Sequence, residues 1–216
     1  MDIKAEKNVQ SLIDDLASEL GEPKVMRHPL YSCVPWAVVG IVYIVFAFSV
    51  LGVRHNIFEK IADPNFVFEI SLTLSLSISA AFSAIWLRYP DIRGQSWILS
   101  IPLTLFAVFT VLISLRTFME APSLPDIHVA HRCYKHALIF GVIPAISIWV
   151  LSMRGKTTHP VLLSLMNALA VGGLGYIGLR ITCHADDVRH LCIYHILPYL
   201  LLGFIAAVCG RRIYRW

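Results

Sequence analysis

Six apolar runs, each near the length of a bilayer crossing and joined by short polar connections, leave this chain few folds to choose from. They fall at about residues 34–53, 66–87, 97–114, 137–151, 161–179 and 191–209. A helix needs about 20 apolar residues to cross roughly 30 Å of hydrocarbon. The first, second and fifth runs meet that length, and the fourth needs its flanks. Backbone N–H and C=O groups in lipid must be paired internally, so these runs are helices rather than strands. Composition agrees: 57% of the residues are hydrophobic and 15% charged, against about a quarter charged in soluble domains. The expected fold is therefore all-α, a six-transmembrane-helix bundle preceded by a short amphipathic helix. The first thirty residues are polar and show no signal-peptide core, so insertion is expected to use the first span.

Orientation follows from the basic residues, which favour the cytoplasmic side. With the N-terminus inside, the inner segments hold eleven: Lys4, Lys7, Lys24, Arg27, Arg88, Arg93, Arg154, Lys156, Arg211, Arg212 and Arg215. The outer segments hold seven: Arg54, Lys60, Arg116, Arg132, Lys135, Arg180 and Arg189. Both ends are thus expected in the cytoplasm. The formal net charge of +4 suits an anionic inner leaflet and requires no nucleic acid.

Ahead of the first span, Val9, Leu12, Ile13, Leu16 and Leu20 recur at helical spacing, with Asp14, Asp15, Ser18 and Glu19 between them. Asn8 or Ser11 is placed to cap this helix, and Gly21 with Pro23 to end it. One face is apolar and the other acidic. A basic amphipathic helix would suit a membrane surface; an acidic one suits a protein partner, or packing on the chain's own inner loops.

Within the spans, Ser75, Ser79 and Ser83 form an i, i+4 stripe, and Ala168, Gly172, Gly173, Gly175 and Gly178 smooth the fifth helix. Small residues let helix backbones approach closely. Pro102, Pro144 and Pro198 are expected to kink their helices, since each removes a donor and crowds the preceding turn. Glu69 is the only acid inside a span. Such residues are functional candidates by default, although this one lies near the outer end, within reach of headgroups. Asn167 reads as interhelical glue.

Two polar islands carry the chemistry. Residues 126–135 hold His128, His131 and Cys133, and residues 182–195 hold Cys183, His184, His190, Cys192 and His195. On the charge-based topology both are outside, where thiols can be oxidised, whereas Cys33 and Cys209 lie at inner ends and read as structural. Cys133, Cys183, His190 and His195 would supply four ligands for zinc or another thiophilic ion, with His131 and His184 ranked second. A structural disulfide and a reactive thiol pair remain open beside that reading. On an ideal helix the step from His190 to His195 is about 140° of rotation, so both can ligate one ion only if the helix begins irregularly.

The layout resembles the NrsF family of membrane anti-sigma factors, negative regulators of a sigma-F type extracytoplasmic-function sigma factor. The residues that carry it are Leu12-Ile-Asp-Asp-Leu-Ala-Ser-Glu-Leu20 with Pro23, the cysteines Cys133 and Cys183, and His190. They continue with Tyr194-His195-x-x-Pro198 and the ending Gly210-Arg-Arg-x-x-x-Trp216. Tyr194 stands where the family pattern has Trp, and Cys192 adds a thiol. The resemblance implies a cytoplasmic segment, residues 1–32, that holds the sigma factor through Leu12, Ile13, Asp15, Leu16, Glu19 and Leu20. It also implies a membrane sensor over residues 33–216, with Cys133 and Cys183 registering heavy metals or oxidants, and no enzymatic activity. A membrane thiol oxidoreductase would be expected to show a Cys-x-x-Cys pair, which is missing. A small metal- or haem-binding transporter would be expected to place an ionisable residue at mid-membrane.

Overall fold

Apolar length becomes helix throughout the computed structural model, which describes residues 11–18, 29–89, 97–120, 127–153, 155 and 157–214. Residues 11–18 form α1, followed by α2 (Pro29–Leu51), the short α3 (Ile57–Ile61), α4 (Pro64–Trp86), α5 (Trp97–Met119), α6 (Ile127–Met153) and α7 (Pro160–Thr182). The last span, α8 (Val188–Ile213), carries a π-helical stretch, Leu191–Ile196, near its start. Six of these helices are long and apolar enough to cross a membrane. Glu19, Leu20 and the side chain of His131 lie outside the described residues.

Two helices outrun the apolar pattern. α5 continues to Met119 and α6 begins at Ile127, several residues beyond the hydrophobic limits. Backbone hydrogen bonding carries the helix into the polar island. Cys133 therefore sits on a helix and not in the loop that hydropathy suggests.

The bundle is organised around α7, the most enclosed span, which touches α4, α6 and α8. Its glycines make this possible. A Cβ at Gly178 would press into the Phe140 ring of α6, one at Gly175 into Tyr199 of α8, and one at Gly173 against Ser77 and Thr73 of α4. With backbones this close, side-chain donors reach carbonyls on neighbouring helices: Ser77 Oγ donates to Ala170 O (2.6 Å) and Tyr199 OH to Ala137 O (2.9 Å). The serine stripe is only partly used as expected. Ser83 donates to Ile98 O of α5 (2.8 Å), whereas Ser75 and Ser79 bond back to their own helix. Ser77, one register away, makes the close contact with α7. α2 lies at the edge and is fastened to α6 by Trp36 Nε1 to Pro144 O (3.4 Å) and Tyr43 OH to Ile139 O (2.6 Å). Asn167 pairs with Ser152 (3.0 Å) and Tyr214 (3.4 Å), bridging three helices.

Pro102 and Pro144 lie inside α5 and α6, and Pro198 opens the α-helical remainder of α8. Glu69 does not turn to headgroups. It receives Tyr176 OH (2.6 Å), Arg180 Nε (2.6 Å) and Arg116 Nη1 (3.1 Å), which joins α4, α5 and α7 near the end of the bundle that carries Cys183.

Replacing Gly178 with Val should cost about 1–3 kcal/mol through overpacking against Phe140. Thermal unfolding of the purified protein in detergent measures this; an unchanged midpoint would contradict the close α6–α7 approach.

Candidate functional site

Cys133 and Cys183 come from opposite sides of the α6–α7 contact, and the chain between α7 and α8 is shaped to hold the second of them. Cys183 ends α7 in extended conformation (φ −85, ψ 136), with its N–H still donating to Leu179 O at 2.7 Å. Asp187 then caps α8, its carboxylate accepting from the His190 N–H at 3.0 Å. Glu120 Oε2, at the end of α5, accepts from the Val188 N–H at 3.1 Å. These bonds satisfy backbone donors that a helix start leaves open, and they set where His190 points.

The π-helical stretch Leu191–Ile196 follows at once. Its i→i+5 hydrogen bonding brings residues five apart onto one face, which supplies the irregular start that His190 and His195 need to converge. Their rings meet edge to face with centroids 5.2 Å apart. The structure thus gathers Cys133, Cys183, His190 and His195, all buried, with one ligand atom from each lying within 4.8 Å of the others. His184 is exposed and stacks on His55 instead, at 4.8 Å between centroids. Cys192 packs beside Leu72, Phe109, Ile113, Tyr176 and Val188 and stays out of the cluster.

Both cysteines are free. Their sulfurs lie 2.9 Å apart, and Cys183 Sγ is 3.5 Å from His190 Nε2. The hydrogen bond shared with Cys133 holds the Cys183 thiol below the usual thiol range despite its burial. Either sulfur can donate the hydrogen bond between them. His195 is fully buried, and neither ring nitrogen has a hydrogen-bond partner among the described residues. Leaving such a group unpaired costs about 1–3 kcal/mol. Two sulfurs and two imidazoles suit a tetrahedral thiophilic ion, and such an ion would use one of the orphaned nitrogens.

The sequence pattern did not point to the ionic frame around this loop. Asp186, three residues beyond Cys183, accepts from Arg54 Nη2 (2.8 Å), Arg180 Nη1 (2.8 Å) and Lys60 Nζ (2.9 Å). Arg54 is buried, and its backbone N–H also donates to Ile181 O at 3.0 Å. Arg180 bridges Asp186 to Glu69. Counting basic residues for topology treats Arg54, Arg116 and Arg180 as solvated charge, which hides their pairing. The one available signal was Glu69, an acid within a span that required cationic partners.

Burial alone would raise the Asp186 pKa, but the bonds from Arg54, Arg180 and Lys60 hold it well below the carboxylate range. A depressed carboxylate contributes stability that is full above its unfolded pKa of about 3.9 and fades as pH falls through the lower folded value. The loop is therefore pinned at neutral and mildly acidic pH. Asp186→Asn should lower stability by about 1–3 kcal/mol, since charged donors lose their acceptor, and should speed maleimide labelling of Cys183. Labelling as slow as in the parent would remove Asp186 from the role of fastening this loop.

The NrsF family, described as negative regulator of sigma F, matches residues 16–216. No curated protein and no solved structure matches the chain. The match spans all six membrane-length helices and the four clustered Cys and His residues, and the chain belongs to the NrsF family of negative regulators of sigma F.

Proposed function

We propose that the protein is an inner-membrane anti-sigma factor with both termini in the cytoplasm, and that it releases its sigma factor when the thiol pair is perturbed from the periplasm. The observation that carries this reading is the buried quartet Cys133, Cys183, His190 and His195, whose ligand atoms lie within 4.8 Å of one another. The sigma factor is of the extracytoplasmic-function type, and the signals are thiophilic metal ions and oxidants.

The two signals act on the sulfur spacing in opposite directions. Thiolates bound about 2.3 Å from a tetrahedral zinc-like ion lie about 3.8 Å apart, whereas a disulfide draws them to about 2.05 Å. The resting separation of 2.9 Å lies between these values. Either event displaces the α7–α8 loop at Cys183 relative to the start of α6 at Cys133, and the displacement is the differential interaction that a switch between two states requires. In oxidation one thiol of the pair, as thiolate, attacks a disulfide or peroxide and expels one half of it. The second sulfur then attacks the sulfur of that adduct, forming the Cys133–Cys183 disulfide, and its proton leaves with the expelled second half as thiol or water.

Output belongs to residues 1–32. In α1, Leu12, Ile13 and Leu16 are 58%, 50% and 52% exposed, beside Asp14 and Asp15. A helix this short is marginal alone in water. Burying such side chains on a partner offers on the order of 1.5–3 kcal/mol each before ordering costs, and the acidic face suits the basic surface of a DNA-binding protein. Glu19 and Leu20 extend the same face in sequence.

Two measurements separate sensing from holding. Cys183→Ser should abolish cadmium or zinc binding by the purified protein, about one ion per chain, and should abolish induction of the sigma regulon by these ions while leaving repression intact. Normal induction would sink the sensor assignment. Replacing Leu12, Ile13 and Leu16 with Ser should give constitutive expression with normal membrane insertion. A regulon that stays repressed and inducible would move the holding surface to the inner loops or the arginine-rich end.

A further inference from the structure

A cavity of about 440 Å³ lies between α4 and α5 at the end of the bundle that carries Cys183. Its polarity falls along the helix axes. Lys60, Asp63, Arg116, Glu120 and Asp186 surround one end, and Leu72, Phe109, Leu112 and Ile113 line the other. Arg116 lies three residues, about 5 Å, from the end of α5, whereas Phe109 lies ten residues, about 15 Å, from it. The charged end is therefore at the depth of lipid headgroups and the apolar end within the hydrocarbon. Phe68 belongs to the lining and is 56% exposed, so the cavity opens on the lateral face of the bundle. The volume falls in the range of small-molecule sites, about 300–1,000 Å³.

The charges at the polar end do not close on themselves. Both oxygens of Glu69, of Asp186 and of Glu120 already accept hydrogen bonds. The cations hold donors in reserve. Lys60 Nζ has three N–H bonds, and among the described residues it spends one, on Asp186 Oδ2 at 2.9 Å. Arg116 spends its Nε and Nη2 hydrogens on Glu120 and on Asp186 O, but only one of the two on Nη1, which reaches Glu69 Oε2 at 3.1 Å. Asp63 has the reverse deficit. Its Oδ1 caps α4 by accepting the Asn65 N–H at 3.0 Å, yet its carboxylate forms no ion pair among the described residues. Spare donors on two cations thus stand beside a carboxylate without a counter-ion, all at the mouth of an apolar slot.

We infer that this cavity binds one phospholipid with a phosphoethanolamine head. The phosphodiester accepts hydrogen bonds from Lys60 and Arg116, the ammonium donates to Asp63, and an acyl chain lies against Phe109 and Leu112. A free anion would leave the apolar end empty and Asp63 unmatched. A phosphoglycerol head brings the phosphate but no cation for Asp63, and a choline head has no N–H to donate. Phosphoethanolamine meets both deficits with a net charge of zero. The bound phosphate shares Lys60 with Asp186 and Arg116 with Glu69, so the lipid joins the ionic frame that holds the Cys183 loop. Such a site needs no metal at the quartet, and it holds whichever end of the bundle faces the cytoplasm.

The test is lipid binding to the full-length protein, delipidated in dodecylmaltoside and followed by native mass spectrometry. Dioleoyl phosphatidylethanolamine, phosphatidylcholine and phosphatidylglycerol are added in separate arms. One phosphatidylethanolamine per chain is expected, held about tenfold more tightly than either of the others. Asp63→Asn keeps the cap of α4, since Asn caps as well as Asp, and should bring phosphatidylethanolamine down to the affinity of phosphatidylcholine. If that variant does not fold, Asp63→Ser, which also caps, replaces it. Lys60→Gln should weaken all three lipids through the phosphate. Equal binding of the three lipids by the parent protein overturns the inference, and so does tighter binding of phosphatidylglycerol or phosphatidylcholine. A phosphatidylethanolamine preference that survives in the Asp63 variant, or binding unchanged by Lys60→Gln, overturns it too.

Discussion

Arg180 lies between two carboxylates, Glu69 within the bundle and Asp186 in the loop beyond it, at 2.6 and 2.8 Å. The rest of the end of the bundle that carries Cys183 depends on this arrangement. An arginine this deeply buried is costly unless its fork is matched by acceptors, and the two acids come from α4 and from the α7–α8 loop. Arg116 and Glu120 extend the frame to α5, and Arg54 and Lys60 extend it to the α2–α4 connection. The α2–α4 connection, α4, α5 and α7 are thus tied to the Cys183 loop by one charge network, whereas α6 meets it through Cys133. Removing Asp186 would leave the buried Arg54 without its carboxylate and Arg180 with Glu69 alone.

Much of the architecture can be read from hydropathy alone, because lipid imposes one solution on an apolar run of this length. Finer features cannot. The early start of α6 is invisible to an apolar count, since residues 127–136 are polar yet remain hydrogen-bonded as helix. Cysteine and histidine content marked the chemistry, and the convergence of His190 with His195 was conditional on an irregular helix start. A π-helical stretch has no strong sequence signature, so its presence had to be observed. The glycines of α7 were legible as a smooth surface, but which helix each one receives was not: Gly175 meets Tyr199, whereas Gly178 meets Phe140.

Burial changes the meaning of the two thiols. In an exposed loop they would be open to any oxidant. At 3% and 4% exposure they admit only what can reach a closed cluster, and the imidazoles around them favour soft cations over bulky reagents.

The π-helical stretch also sets the bearing of everything after it. Each residue of an α-helix turns the chain by about 100° and advances it by about 1.5 Å, so a wide turn places the following helix one residue out of phase with a regular one. Tyr199 over Gly172, Gly203 over Ala168 and Gly210 over Ser164 all occupy this shifted phase. The same surplus residue that aligns two histidines at one face of the membrane therefore dictates which side of the last helix meets α7 down to the opposite face. The last span behaves as a crankshaft: tightening its first turns would swing its far end, next to Arg211 and Arg212, around α7.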